Sequence, residues 1–329
     1  MINNKRMPIQ IGIVGGAGYT AGELIRLLLQ HPMVHIAWVC SASQANQPIY
    51  SIHKDLLGDC DLVFTDEIQA DIDVLFLCSG HGNSSPFLEK YDFRNSKTKI
   101  IALSQDFRMA HPRHDFVYGL PEWNKKRIQN AKHIANPGCF ATAIQLSLLP
   151  LAKAQLLQKD VHINGVIGST GAGQRPRFST HFSWVDNNIS IYKPFRHQHL
   201  AEIKQGLRQV MRQNLPELHF IPIRGNFSRG IFVTAYTAFE GNIAEAFSLY
   251  EAFYKEHPFV LLSKEVIDLK QVINTNKAVL HLDVHEGKLL VTTVIDNLIK
   301  GAAGQAIQNM NLMFGLSERT GLKLKGSAF

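Results

Sequence analysis

Long hydrophobic runs are missing from this 329-residue chain. No stretch approaches the roughly 20 uninterrupted apolar residues that cross a bilayer, so no membrane partner is expected. Cysteine is scarce: four residues, at 40, 60, 78 and 139, with neither a CxxC pair nor zinc-type spacing. That excludes a disulfide scaffold and a structural zinc module. Charge of one sign is never gathered into a run. The formal net charge is +7, but the basic residues are scattered with few aromatics between them, so nucleic acid is not expected as a partner. Low-complexity tracts and repeats of fixed period are absent as well. The opening segment MINNKRMP is basic but runs into strand-like sequence without an apolar h-region or a cleavage site. No secretory signal is expected, and the thiols are expected to be free in a reducing cytoplasm.

What is present is a globular balance, 45% hydrophobic and 19% charged, in a chain long enough for two domains of ordinary size. Up to about residue 140, short β-branched runs alternate with amphipathic segments. Strands are expected at 10–15, 34–40, 73–79 and 99–104. A helix is expected at 20–30, where Leu24, Leu27 and Leu28 fall at helical spacing. That alternation argues for a parallel sheet with right-handed crossovers. A helix is then expected from Phe140 to about Leu157, and strands at 161–168 and 230–239. A hairpin is expected from 278–284 and 288–295, turning at His285-Glu286-Gly287. The expected fold is α/β: an N-terminal Rossmann-like dinucleotide-binding domain over 1–139 and an α+β domain with a mixed or antiparallel sheet over 140–300. A C-terminal helical segment, 301–329, is expected to pack back on the first domain.

Gly12, Gly15 and Gly18 close the first strand and open the first helix. Glycines there let the backbone turn tightly against a pyrophosphate whose charge sits on the helix N-terminus. The spacing is GxxGxxG rather than GxGxxG, and the strand before and helix after supply the context a dinucleotide site needs. Candidate cofactor contacts are Gly12, Gly15, Gly16, Ala17, Gly18, Tyr19 and Thr20. The second strand ends in Cys40-Ser41-Ala42-Ser43-Gln44, with no carboxylate to bind a ribose 2′-hydroxyl. Ser41 and Ser43 therefore favour NADP, because a carboxylate would repel the 2′-phosphate and a hydroxyl can donate to it.

In NPGCFATA, residues 136–143, one cysteine stands at the expected start of a helix. A helix N-terminus lowers a thiol pKa, so Cys139 is the candidate nucleophile, while Cys40, Cys60 and Cys78 lie in or beside strand-like runs and read as small hydrophobes. A thiolate that forms acyl intermediates needs an acid/base partner. Among 15 histidines, Arg196-His197-Gln198-His199-Leu200-Ala201-Glu202 stands out, with two of them just before an expected helix. His-x-His can also chelate a metal, but no third ligand has suitable spacing, so no metal is expected.

At this point the sequence resembles the N-acetyl-gamma-glutamyl-phosphate reductase family over nearly its whole length. The resemblance rests on GIVGGAGYTAGEL at 12–24, NPGCFATA at 136–143, Ser104-Gln105-Asp106-Phe107-Arg108, Tyr118-Gly119-Leu120-Pro121-Glu122, Gly171-Ala172-Gly173, Arg229-Gly230-Ile231 and KGAAGQAIQNMNLMFGL at 300–316. Gln174 stands where the family has Arg, and Ala201 where its H-x-H-x-P-E-I pattern has Pro. The resemblance implies a Cys139 thioester mechanism, with His199 as acid/base and NADPH as reductant. It adds Gly171 and Asn309 to the cofactor contacts. It also makes Arg108, Asn136, His197 and Glu202 substrate-binding candidates, Arg108 as the cation for the phosphoryl group. The implied product is N-acetyl-glutamate 5-semialdehyde, and the implied assembly is a homo-oligomer. Alternatives are an N-succinyl or carrier-protein-linked acyl phosphate, an aspartate-semialdehyde dehydrogenase, and a non-catalytic dinucleotide sensor.

Overall fold

A computed structural model describes residues 7–93 and 96–327. In chain order the elements begin with β1 (Ile9–Val14), α1 (Tyr19–Leu29), β2 (Val34–Cys40), β3 (Phe64–Thr65), β4 (Val74–Leu77) and α2 (Ser84–Lys90). They continue with β5 (Lys99–Ala102), β6 (Val117–Tyr118), α3 (Pro121–Gln129), β7 (His133–Ala135), α4 (Cys139–Lys153), β8 (Val161–Ile167) and α5 (Phe182–Val185). The rest are β9 (Ser190–Ile191), α6 (His199–Arg208), β10 (Leu218–Arg224), β11 (Ile231–Ala238), α7 (Ile243–Tyr254), β12 (Val260–Ser263), β13 (Ala278–His285), β14 (Lys288–Ile295) and α8 (Gly304–Met313). They form two compact units. The first takes in residues up to Gly119, Lys125–Asn136 and Ala306–Leu322. The second takes in Leu120–Asn124, Pro137–Gln305 and the residues from Lys323 on.

The sheet of the first unit runs β3-β2-β1-β4-β5-β7-β6, every pair parallel. β4 (VLFL) is buried at every residue and β1 from Ile11 on, as strands covered on both faces must be. α1 turns Leu24, Ile25, Leu27 and Leu28 inward. The strand order changes direction between β1 and β4, where a doubly wound sheet opens a crevice beyond its carboxyl ends. Residues 306–322 belong to this unit: Lys99 Nζ donates to Met313 O at 2.8 Å, and Lys125 pairs with Glu318 at 2.6 Å. The helix expected over 301–329 is shorter than that. A π-helical turn, Ile299–Ala303, leads into α8, which stops at Met313. Gly315, at φ +66°, ends it, and Leu316 N–H returns to Asn311 O, the left-handed termination glycine allows.

The second sheet runs β12-β13-β14-β11-β8-β10-β9 and is mixed. β8 and β10 are parallel, while β11 pairs antiparallel with both β8 and β14. The hairpin of β13 and β14 forms as expected, with Glu286 and Gly287 at positive φ. β11 alternates buried and less buried residues, so one face is covered, with α4 packing on β11 and β14 and α7 on β13.

α4 carries the cysteine motif and is buried from Phe140 to Ala152. It ends at Lys153 rather than near Leu157, because Gln155 at φ +62° terminates it and Leu156 N–H turns back to Leu151 O. Pro150 lies inside it and has no N–H for the carbonyl of Leu146, which would then be orphaned in the core. Tyr254 on α7 supplies the missing donor, its hydroxyl reaching Leu146 O at 2.5 Å, and the neighbouring Tyr250 hydroxyl donates to Ser147 O at 2.6 Å. Burial pushes both phenols far above their usual range, so they remain donors. Tyr254→Phe is expected to lower unfolding free energy by about 1–3 kcal/mol, the cost of an unsatisfied buried carbonyl. Urea titration measures it. In a Pro150→Ala background, where the helix has its own donor, the same change should cost less than half as much; an equal cost there refutes this account of the tyrosine.

Candidate active site

The glycine turn after β1 lies at the sheet's reversal point. Gly15 adopts φ +79°, and a Cβ there would stand 2.6 Å from the backbone nitrogen of Ser79, so only glycine permits this approach. Gly15 and Gly16 N–H groups donate to Cys40 O at 3.0 and 2.9 Å, which locks the turn to the end of β2. His53 braces it from below, its Nε2 2.7 Å from Gly16 O, a support for which the sequence holds no local signal. Gly12 is buried within β1, and Ala17 and Thr20 are half-buried. Gly18 is the N-cap of α1 and brings no side-chain acceptor. The first turn holds no acidic residue and begins at exposed Tyr19, so its N–H groups and dipole suit an anion. Ser41 is buried and Ser43 exposed at the end of β2. These residues fit a dinucleotide: a glycine backbone with an open helix N-terminus for the pyrophosphate, and hydroxyls without a carboxylate where a 2′-phosphate would sit.

Cys139 is the first residue of α4, preceded by the N-cap Gly138, which likewise has no side-chain cap. The partial positive charge there favours a thiolate. Cys78 and Cys40 are in the opposite situation. Burial pushes the Cys78 thiol up to about 12, and burial with Asp66 nearby raises Cys40. Gly301, in the π-helical turn, lies against Cys139: a Cβ there would come within 2.8 Å of Cys139 Cβ. That turn hangs from Asp296, whose side chain is fully buried. Its carboxylate accepts from Arg229 Nε and Nη2 at 3.2 and 3.3 Å and from the N–H groups of Asn274, Leu298 and Ile299 at 2.8, 2.8 and 3.1 Å. Its carbonyl accepts Gly301 N–H at 2.9 Å. Lys300, beside Gly301, is buried against Glu122 at 2.6 Å.

His199 opens α6, and Glu202 stands one turn on. Glu202 Oε2 accepts Gly138 N–H at 3.1 Å, and its Oε1 lies 3.8 Å from His199 Nε2. One buried carboxylate thus joins the residue before the cysteine to the imidazole. It was expected to bind substrate; its carboxylate is buried and meets two groups of the protein itself. His197 and His199 do not lie on an extended segment: Gln198 between them is helical. His197 Nδ1 accepts His199 N–H at 3.2 Å, and the rings meet edge to face at 4.6 Å. Burial, with Lys193 nearby, pushes His197 down to about 4, so at neutral pH it is an uncharged cap for α6.

Arg108, expected as the cation for a phosphoryl group, is 6% exposed, and its Nε and Nη2 donate to the carbonyls of Asn136 and Leu103, both at 2.9 Å. Asn136, expected at the substrate, is buried and donates its N–H to Ala102 O. Asn309 Nδ2 donates to Gly119 O and Asn136 Oδ1 at 2.8 and 3.1 Å. Its Oδ1 is buried without a partner among the described residues and is available to an amide donor. Gly171 lies in the second unit, in a turn hung on residues 227–230. The sequence reading missed two groups near the nucleophile. Burial and the neighbouring Cys139 push the Tyr192 phenol up, and Arg224, 4.7 Å over its ring, pulls the other way. Neither has a motif around it; strand pairing of β9 with β10 brings them together. Among the described residues no helix is long and apolar enough to span a membrane, and no cluster of three His, Cys, Asp or Glu could hold a metal.

The chain resembles known proteins along nearly its whole length. A family described as "Semialdehyde dehydrogenase, NAD binding domain" matches residues 10–131, and one described as "Semialdehyde dehydrogenase, dimerisation domain" matches 139–297. A protein of Christiangramia forsetii named N-acetyl-gamma-glutamyl-phosphate reductase is 57% identical over 98% of this chain and 100% of its own. One of the same name from Parabacteroides distasonis is 54% identical with the same coverage. Aspartate semialdehyde dehydrogenase II of Vibrio cholerae, solved with ASA, shares the fold at a TM-score of 0.73 and 14% identity, over 94% of this chain and 99% of that one. The enzyme of Candida albicans, solved with NADP, has a TM-score of 0.68 at 13% identity, over 93% and 98%. The chain belongs to the semialdehyde dehydrogenase family and, within it, to the N-acetyl-gamma-glutamyl-phosphate reductases.

Proposed function

We propose that this protein reduces N-acetyl-gamma-glutamyl phosphate to N-acetyl-glutamate 5-semialdehyde, with NADPH as the reductant and Cys139 as the covalent nucleophile. The observation that carries the reading is the joint geometry of Cys139 at the head of a buried helix, Glu202 on Gly138, and His199 beside Glu202. The name shared by relatives above half identity supports this substrate over aspartyl phosphate. The dimerisation-domain match supports a homo-oligomer, and four free thiols support a cytoplasmic setting.

His199 takes the Cys139 proton, and the thiolate attacks the acyl carbonyl. The carbon–oxygen bond to phosphate breaks, inorganic phosphate leaves and a thioester remains. N–H groups at the start of α4, free of a side-chain cap, face the oxygen that gains charge during attack. Bound on the Gly15–Gly18 turn, the dinucleotide supplies a hydride. His199 returns the proton as the carbon–sulfur bond breaks, releasing the aldehyde. Glu202 holds the imidazole in place, and Arg224, rather than Arg108, supplies positive charge toward the phosphoryl group.

Cys139→Ser is expected to remove turnover and leave NADPH binding, measured by fluorescence titration, unchanged, since a hydroxyl does not ionise at neutral pH. Retention of more than a few per cent of activity contradicts the thioester. His199→Asn is expected to lower kcat by about 10² to 10⁴, the usual worth of a positioned acid/base group. His197→Asn should act on stability instead. A histidine held near 4 in the fold but near 6.5 unfolded binds fewer protons folded, so its contribution is complete above pH 6.5 and is lost as pH falls toward 4. Melting curves across that window should flatten in His197→Asn; a larger loss of kcat there than in His199→Asn reverses the two roles. Steady-state kinetics should give NADPH a higher kcat/KM than NADH, and the opposite order contradicts the reading of Ser41 and Ser43.

A further inference from the structure

Lys300 and Glu122 form an ion pair that the proposed chemistry does not use. Both side chains are fully buried, with Nζ 2.6 Å from Oε1, and Leu120–Asn124 and Pro137–Gln305 belong to one unit. Lys300 Nζ also lies over the Phe259 ring, 5.9 Å from its centre. Glu122 Oε2 is buried without a partner among the described residues. Taking two charges out of water costs more than their attraction returns unless the remaining lone pairs are satisfied, and apolar side chains of similar size often serve stability as well. The best-attested use of such a buried pair is to fix a register.

The π-helical turn Ile299–Ala303 has a register to fix. Gly301 N–H returns to Asp296 O and Ala303 N–H to Leu298 O, each one residue further back than an α-helix would reach. A slip to α spacing rotates the chain beyond it by about 100°. Two glycines stand where a Cβ would collide. On Gly301 it would lie 2.8 Å from Cys139 Cβ, and on Gly304 2.4 Å from Asn276 Oδ1. Their neighbours Ile299, Lys300, Ala302 and Ala303 all carry one. Asp296 holds the start of the turn through the N–H groups of Leu298 and Ile299. Further in, the Lys300 side chain reaches a distant element, since Glu122 lies on α3.

We propose that the buried Lys300–Glu122 pair fixes the π register of this turn, so that Gly301 is the residue set against Cys139. Lys300 and Glu122 are then positioning residues. Neither touches substrate, and both act through the space left beside the thiol. Without the pair, the turn relaxes toward the commoner α spacing. Gly301 then rotates away, and a residue bearing a Cβ takes its place beside Cys139.

The register stands on geometry; its effect on turnover rests on the proposed function. Alkylation of Cys139 by iodoacetamide, followed by peptide mass, needs no acyl phosphate and keeps the two apart. In full-length Glu122→Gln with Lys300→Met, uncharged side chains of matching length replace the pair, so a cooperative melt is expected. Alkylation should slow about tenfold as a Cβ crowds the thiol, and kcat should fall by about 10², the cost of a misplaced reacting group, with KM unchanged. Amides of 296–304 should exchange faster with solvent. Gly301→Ala should slow alkylation in the wild type but add almost nothing in the double variant, where a Cβ already stands beside Cys139. Glu122→Asp, which keeps both charges on a shorter arm, should melt like the wild type and slow alkylation several-fold. Wild-type alkylation in either folded variant, or a Gly301→Ala effect that simply adds, overturns the proposal. A double variant without a cooperative melt also overturns it, by making the pair a stability element. Slower alkylation with unchanged kcat leaves the register standing and contradicts the thioester instead.

Discussion

The carboxylate of Glu202 is the constraint on which the site depends. It is buried, and a buried charge is tolerated only where hydrogen bonds and nearby groups offset its lost hydration. Gly138 N–H and His199 are two such groups. The start of α4 and the start of α6 are therefore tied to each other through one residue, and a shift of either would cost the carboxylate part of its compensation. Cys139 and the imidazole sit on separate helices but inherit a common anchor.

The same demand for satisfied polar groups shapes the surroundings. Pro150 leaves a carbonyl of α4 open, and Tyr254 closes it, so the helix behind Cys139 stays buried without an orphan. Asp296 gathers five N–H donors from four residues and fixes the π-helical turn that puts Gly301 against the cysteine. π-turns are found where a helix is bent to a task, and here only a glycine fits beside Cys139. Helix N-termini do two jobs in this chain: α1, left open by Gly18, suits a pyrophosphate, and α4, left open by Gly138, suits a thiolate. Both are chemistry of unsatisfied N–H groups.

Much of this was legible in the residues. The apolar runs and the helix between them specify a parallel sheet, because strands buried on both faces must be apolar throughout. Gly15 announces a backbone approach, and Cys139 after Pro137 and Gly138 announces a helix start. Those are local signals, carried by residues next to one another. Arg108, Asn136 and Glu202 were singled out from the sequence, but the backbone groups they hold were not legible there, because a guanidinium or a carboxylate suits a ligand and a backbone group equally well. The end of α4 was misread for a simpler reason: Gln155 turns left-handed, and a glutamine gives no warning of that.

By itself, then, the sequence determined the two kinds of sheet, the glycine turn, the cysteine at a helix start and the absence of a carboxylate after β2, all of which follow from spacing along the chain. The tertiary structure alone decided which charged groups face inward and what they hold. Glu202 reaches across to Gly138, Asp296 to Arg229 and Asn274, and Arg224 to Tyr192 beside Cys139. These partners are tens of residues apart, and their pairing is set by strand order and helix packing, which local propensity does not encode; burial then makes each pairing obligatory, because a charge removed from water must find its partner within the fold.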